Sequence, residues 1–473
     1  MHKRYKKLFT DTGLFVVSVF GSKILTFLLL PLYTSILSTE EYGMADIVVT
    51  TVNFLYPILT LSIFEATLRF ALDEKYNKKR VFDITLIFSL MAIIIFSFIM
   101  HLFLEQGFLK EYWWCILGLF ASNVFQICLS YYVKGCGQTK IFAIQGVLYT
   151  LVCLSANIIL LVGYGCGLKG YLVSMCLAGM ISSIYMLFSS NTYRELISFR
   201  FDKDLSKEML RYCVPLIPTT IAWWINAYSD KYMILAFVGI SVSGLYGVAH
   251  KISTVFSTIT NLFSQAWRIS AISSFDDEDN QAYYEKVYKI YSLICIYTCL
   301  FIIFSAEILV KTFFRNEYYT VWTFIPPLLL AALFQAYAGF FESLYAAAKQ
   351  TVSLSISIGI GALLNIVLNY MLINYFGGLG APIATMFSFS VVWWIRFKMM
   401  QSFMPININL ARTLPSLGIL IACGLYFSFQ GLYRYIVGVF ALILIVALNL
   451  QETFYIVSLF IKVMQKIKIR RKK

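Results

Sequence analysis

A chain of 473 residues that is 60% hydrophobic and only 13% charged, with a mean hydropathy of +0.76, lies outside the range of a soluble globular protein of that length. Its net charge of +14 does not mark a nucleic-acid-binding protein, because the basic residues flank apolar runs on one side, where membrane topology and anionic headgroups account for them. The composition predicts an integral membrane protein.

Apolar runs of about 20 residues recur from Gly13 to Phe460, long enough for helices rather than the roughly 10-residue alternating strands of a barrel. The first, Gly13 to Leu37, follows the basic HKRYKK but is too long for the apolar core of a signal peptide, and it reads as a retained helix. Fourteen spans are predicted in all, starting near residues 13, 44, 83, 112, 141, 169, 213, 244, 287, 322, 352, 379, 411 and 434. The soluble stretches between them are short, and Asn191 to Tyr212 and Ser273 to Lys286 are the longest. Neither can bury a core alone, so function is expected within the bundle.

With the N-terminus inside, most of the 38 lysines and arginines fall on cytoplasmic ends and loops, against Lys110, Lys169, Lys311, Arg315 and Arg434 outside. Both ends are therefore expected in the cytoplasm. Most of the ten cysteines lie inside apolar runs and read as free thiols. The three histidines, His2, His101 and His250, form no metal-ligand spacing with them, and neither a metal nor a cofactor is expected.

An internal repeat organises the chain. GQTKIFAIQGVLYTLVCLSANIILLVGYGCGLKGYLVSM, from Gly137, aligns with KQTVSLSISIGIGALLNIVLNYMLINYFGGLGAPIATM, from Lys349, pairing Gln138 with Gln350, Asn157 with Asn369 and Met175 with Met386 at a shift of 212 that drops to 211. Around Tyr42-Gly43 and Tyr246-Gly247 a second match runs at a shift of 204. Six spans per copy, an even number, insert both copies in the same direction, so the axis relating them runs along the membrane normal. The expected architecture is an all-α membrane protein: a six-helix bundle over 1–205, a second over 206–405, and two further helices with a basic cytoplasmic tail over 406–473. Paired bundles suit alternating access.

Charge inside a span costs at least about 2.5–3.5 kcal/mol on insertion scales, so each such residue asks for a reason. Lys23, Glu65, Arg69, Asp230, Lys231, His250 and Lys251 all fall in the first two spans of each half, while Asn157, Glu342 and Asn369 occur later. Glu65 and Arg69 stand four apart with the acid first, the spacing of a same-helix ion pair. Lys23 and Lys251 have no acid three or four residues away and need another helix, a wet cavity or an anionic ligand. Asp230 and Lys231 lie about 100° apart around their helix and cannot face each other squarely. Asp230 shares a face with Asn226 and can neutralise a lysine, which leaves Lys231 to face a ligand or to snorkel outward. A cavity walled by Lys23, Lys231 and Lys251 suits a phosphate or pyrophosphate.

LPLYTSILSTEEYG (Leu30 to Gly43) and its second-half counterpart SDKYMILAFVGISVSGLYGVAHK (Ser229 to Lys251) resemble the Wzx-type polysaccharide flippases of the multidrug/oligosaccharidyl-lipid/polysaccharide exporter (MOP) superfamily. Thr39 stands where those relatives often carry proline. The resemblance implies translocation of an undecaprenyl-pyrophosphate-linked oligosaccharide from the inner to the outer leaflet of a bacterial cytoplasmic membrane, for O-antigen, capsule or exopolysaccharide. Membrane lipids surround the lipid-linked oligosaccharide, and a polysaccharide polymerase and a chain-length regulator are the implied partners. Lys23 and Lys251 match positions of cavity cations in such flippases, with Arg69 and Lys231 as weaker candidates. Asp230, Glu65 and Glu342 are candidates for charge balance or ion coupling, and Asn226, Asn157 and Asn369 for a polar cavity lining. The rivals are a multidrug cation antiporter and a lipid II flippase of the same superfamily. A membrane polymerase or ligase would want an extended outer loop with catalytic side chains, which this chain does not offer.

Overall fold

A computed structural model describes residues 29–103, 107–197, 200–275, 279–348, 350–458 and 461. Among them every regular element is helical and no strand occurs. From the N-terminal side these are α1 Leu30–Ile36, α2 Thr39–Leu59, α3 Ile63–Leu72, α4 Lys78–Leu102, α5 Gly107–Gly135, α6 Thr139–Asn157 and α7 Gly167–Ser189. They continue with α8 Lys203–Cys213, α9 Ile217–Phe237, α10 Ile240–Ser273, α11 Asn280–Phe313, α12 Ile325–Ala347, α13 Thr351–Phe376, α14 Gly380–Met400, α15 Leu410–Ser428 and α16 Arg434–Leu448.

The count of fourteen spans is not recovered whole. Nine stretches of the described residues are long and apolar enough to cross a membrane, or ten if Arg434–Leu448 and Leu450–Ser458, bent by 90°, form one span. One of the nine, Ser353–Met400, contains both α13 and α14. The first predicted span lies mostly outside the described residues, and α10 mixes Ser, Thr, Asn, Gln, Lys251 and Arg268 into its apolar sequence.

The predicted second span is two helices rather than one. Ser38 opens α2 with a capping box, accepting from the Glu41 N–H while Glu41 accepts from the Ser38 N–H. Pro57 then weakens the helix from inside, and Leu61 and Ser62, both at φ 53, stop it. Left-handed backbone is uncommon for leucine, so the break is imposed by its surroundings. It puts Glu65 in the first turn of α3 and Arg69 in the last, where each charge opposes the helix dipole favourably.

By internal packing the chain falls into two units, Met1–Tyr232 and Met233–Lys473. In the first, α3, α4, α5, α7 and α8 share a core. The amphipathic α8, at the edge of the longest soluble loop, contributes Leu205, Met209 and Cys213, spaced by four so that they line one face. Asp202 caps it by accepting from the Leu205 N–H at 3.1 Å and from Arg80 at 2.8 Å. A Cβ on Gly135 would lie 2.6 Å from Ala71 Cβ, so glycine is what lets α3 and α5 approach.

In the second unit α12 is buried along most of its length, with α10, α11, α14 and α15 packed around it. Its aromatic rings interlock with those of α11 and α14: Tyr337 OH donates to Ser292 O at 2.9 Å, and Trp393 Nε1 to Tyr288 OH at 3.1 Å. Glu307 of α11 accepts from Lys311, Arg434 and Tyr435 at 2.7–2.8 Å, fastening α16 to α11.

The repeat has a counterpart in local geometry. Gln138 and Gln350 precede α6 and α13 with φ/ψ of −88°/55° and −94°/64°. Each closes the same turn, its N–H donating to the carbonyl five residues earlier, on Val133 and on Tyr345, at 3.0 and 2.9 Å. Asn157 and Asn369 end up equally buried, with no exposed area.

Candidate functional site

Within the first unit, α2 and α9 carry most of the polar chemistry. Lys231 Nζ lies 2.5 Å from Asp46 Oδ2, with the two side chains 5% and 7% exposed. Five residues on from Asp46 and one from Lys231, the contact is renewed nearby, where Thr51 Oγ1 and Tyr232 OH share a hydrogen bond of 2.7 Å. The Tyr228 ring centroid stands 5.5 Å from the Lys231 ammonium, within range of a cation–π attraction. Two charges taken out of water hold together only with close geometry and further partners, and this arrangement supplies both.

One turn further along the two helices the chemistry becomes uncharged. Trp224 packs on Phe54 with centroids 4.0 Å apart, and Tyr228 follows Trp224 at helical spacing. A cavity of about 220 Å³ opens here, lined by Phe54, Tyr56, Trp224 and Tyr228 with Asn53. Asn53 also lines a second cavity of about 140 Å³, together with Ser122, Asn123, Gln126 and Tyr149. Asn123 Nδ2 donates to Asn53 Oδ1 at 3.3 Å.

The remaining expected residues are distributed as follows. Lys23 lies outside the described residues, as does the side chain of Asn226. Arg69 pairs not with Glu65 but with Asp73, at 3.8 Å, which offers the same four-residue spacing in the C-terminal direction. Glu65 instead accepts from Tyr131 OH at 3.4 Å. Asp230 is buried on α9 beside Lys231. Asn157 donates to Tyr33 OH at 3.1 Å and to Cys153 O at 2.7 Å, tying α1 to α6.

In the second unit Lys251 is half-buried on α10. Asn369 donates to Asn365, and Asn365 to Thr385, each at 3.0 Å, a polar ladder joining α13 to α14. Glu342 is gripped by two arginines, Arg268 and Arg396, each at 3.2 Å. Arg396 is 3% exposed and also donates to Ser357 Oγ and Ala338 O.

Sequence reasoning finds Asn123 and Gln126 only as neutral amides at membrane depth, and does not single out Asp46, Arg396 or the aromatic residues of the two cavities. Asp46 had a usable signal: the shift of 204 that pairs Tyr42 with Tyr246 sets it opposite His250. Asn123 and Gln126, and likewise Trp224 and Tyr228, share helix faces at three- and four-residue spacing.

An uncharacterized membrane protein of Methanocaldococcus jannaschii is 27% identical over 237 residues, 49% of this chain and 54% of that protein, so the match spans about half the length of the curated relative. The lipid II flippase MurJ in an inward closed conformation superimposes with a TM-score of 0.68 at 14% identity, over 93% of this chain and 99% of that one. An inward-facing multidrug resistance MATE transporter of the MOP superfamily gives 0.67 at 15%, over 81% and 94%. A MOP-superfamily transporter from Pyrococcus furiosus gives 0.52 at 16%, over 83% and 96%. At such identities the likeness is one of fold. A family model described as polysaccharide biosynthesis protein matches residues 33–323. The chain is thus a multi-pass membrane protein with the fold of MOP-superfamily transporters, and it belongs to the polysaccharide biosynthesis protein family.

Proposed function

We propose that the protein is a flippase that moves an undecaprenyl-pyrophosphate-linked oligosaccharide from the inner to the outer leaflet of a bacterial cytoplasmic membrane, with both termini in the cytoplasm. The observation that carries this reading is family membership over residues 33–323. A lipid II flippase of the same fold supports it, since that protein too handles a lipid-linked substrate. The chemistry of the spans agrees: Lys23, Lys231, Lys251 and, less directly, Arg69 are cations that a doubly charged headgroup would recognise. Asp46 neutralises Lys231 until such a headgroup competes for it. Residues 1–205 and 206–405 act as the two rocking halves, with 406–473 as an appendix, and polysaccharide polymerase with its chain-length regulator receives the exported unit.

Antiport of organic cations is the second reading, favoured by the MATE-type fold and by the buried acids Asp46 and Asp230. A cation substrate would want at least one of those carboxylates unneutralised, and Lys231 occupies Asp46. The deciding experiment replaces Lys23 and Lys251 by alanine, together, and follows surface polysaccharide and inner-leaflet lipid-linked oligosaccharide. Polysaccharide is expected to vanish and the lipid-linked precursor to accumulate while the protein still reaches the membrane, with arginine at either position retaining part of the output. Wild-type polysaccharide from the double alanine variant removes both lysines from the mechanism.

A further inference from the structure

Among the described residues, no Asp, Glu, Lys or Arg lines either cavity of the first unit. A site for pyrophosphate, or for an organic cation, would carry the opposite charge. What these walls offer instead is a ring of neutral amides and hydroxyls beside a platform of aromatic faces. Asn53, Ser122, Asn123 and Gln126 supply donors and acceptors together. Phe54, Tyr56, Trp224 and Tyr228 supply flat apolar surface in the adjoining cavity, which shares Asn53.

Two polar atoms in this region are left over. Asn123 Oδ1 and Trp224 Nε1 are both buried without a hydrogen-bond partner among the described residues. One is an acceptor and the other a donor. Buried polar groups are nearly always paired, so an orphan of each kind at adjoining cavities is a call for a ligand that both gives and takes hydrogen bonds. The backbone adds a third feature. Pro57 has no N–H to give to the Asn53 carbonyl one turn before it, so that oxygen loses its helical donor at the residue that lines both cavities.

Neutral donors and acceptors around the rim and aromatic faces along the wall match a sugar ring, whose hydroxyls each donate and accept while its C–H faces are apolar. The volumes, about 140 and 220 Å³, are below the roughly 300–1,000 Å³ of drug-sized clefts and suit single rings rather than a long chain. We propose that Asn53, Asn123, Gln126, Trp224 and Tyr228 form a saccharide-reading subsite, built of neutral groups, that selects the neutral sugar of the transported molecule. The inference deepens the transport reading above and rests on it for its biological meaning. Its chemistry is a sugar-binding wall on α2, α5 and α9 whatever the lipid.

The test therefore uses free sugars. Purified full-length protein in nanodiscs is titrated with a panel of neutral hexoses and N-acetylhexosamines, with tryptophan fluorescence as the readout and Trp224→Phe identifying the reporting ring. A saturable millimolar response to at least one sugar is expected, absent in Trp224→Phe and weakened about tenfold in Asn123→Ala and Gln126→Ala. Asn123→Ser, which puts a hydroxyl in place of the amide, stands in if the alanine variant does not fold, and it should retain an intermediate response. Inorganic pyrophosphate and a dodecyl-chain amphiphile are titrated in parallel. No saturable response to any sugar, a response indifferent to Asn123 and Gln126, or quenching of Trp224 by the alkyl chain alone overturns the subsite. Loss of the pyrophosphate response with the sugar response intact counts against the lipid-pyrophosphate reading and leaves the subsite standing.

Discussion

Lys231 reaches Asp46 across 185 positions of sequence, closing an ion pair of 2.5 Å between α9 and α2 with both side chains almost fully buried. Removing one member leaves the other charged, desolvated and alone, which costs about 3–5 kcal/mol, whereas removing both costs far less. Asp46→Ala and Lys231→Ala should each lower the thermal midpoint of the purified protein sharply, and Asp46→Ala with Lys231→Met should recover most of the loss. A double variant no more stable than the worse single one would mean that each residue is held chiefly by other groups. Double-mutant analysis of melting curves in nanodiscs makes the comparison.

Gly135 offers a cleaner packing test. Its missing side chain accommodates Ala71 at a distance where a Cβ would sit 2.6 Å away, so Gly135→Ala must push α3 and α5 apart at about 1–3 kcal/mol. Ala71→Gly on that background should restore part of the stability, as read from the yield of monodisperse protein after heating.

The amphipathic helix α8 should loosen in acid. The Leu205 N–H and then the Arg80 guanidinium hold the Asp202 carboxyl below the ordinary carboxylate range. A depressed folded value stabilises the capped form above the unfolded value of about 3.9 and loses that contribution as pH falls through the folded one. A spin label at the exposed Lys207 should therefore gain mobility only in strong acid, and Asp202→Asn should make the profile flat.

Glu307 anchors the last helices. Arg434 donates to it from Nε at 2.9 Å and from a terminal nitrogen at 2.7 Å, with Tyr435 and Lys311 completing the shell. Glu307→Gln should weaken this fastening by about 1.5–3 kcal/mol, the worth of hydrogen bonds to a charged group. Faster proteolysis in the turn at Gln430–Gly431, with the rest of the chain intact, is the expected signature.

Most of the fold was readable from the chain because lipid enforces one simple rule: a spanning segment must be apolar and helical. Span starts near 112, 141, 169, 352, 379, 411 and 434 lie within a few residues of α5, α6, α7, α13, α14, α15 and α16. The break at Leu61–Ser62 was not readable, since neither residue favours left-handed backbone and tertiary packing overrides that preference. The same limit applies to ion pairing. Spacing alone allowed Arg69 to choose Glu65, yet Asp73 lies equally far along the helix and is the one it meets. Asp46 looked like an ordinary acid near a helix start, and only the three-dimensional path of α9 gives it Lys231. A neutral amide such as Asn123 stands out in an apolar span without revealing its role, while an aromatic residue such as Trp224 carries no insertion penalty that would mark it.

The interruption after Pro57 divides one predicted crossing into two short rods. The Ser62 N–H turns back to Pro57 O at 2.7 Å and the Ile63 N–H to Thr60 O at 3.1 Å, so no unbroken ladder of four-residue bonds runs from α2 into α3. A torque applied to the rod bearing Asp46 and Asn53 is dissipated at that joint instead of reaching Glu65 and Arg69. Whatever tilts the α2 rod can leave the α3 rod clamped in its bed of Phe82, Tyr132 and Met209.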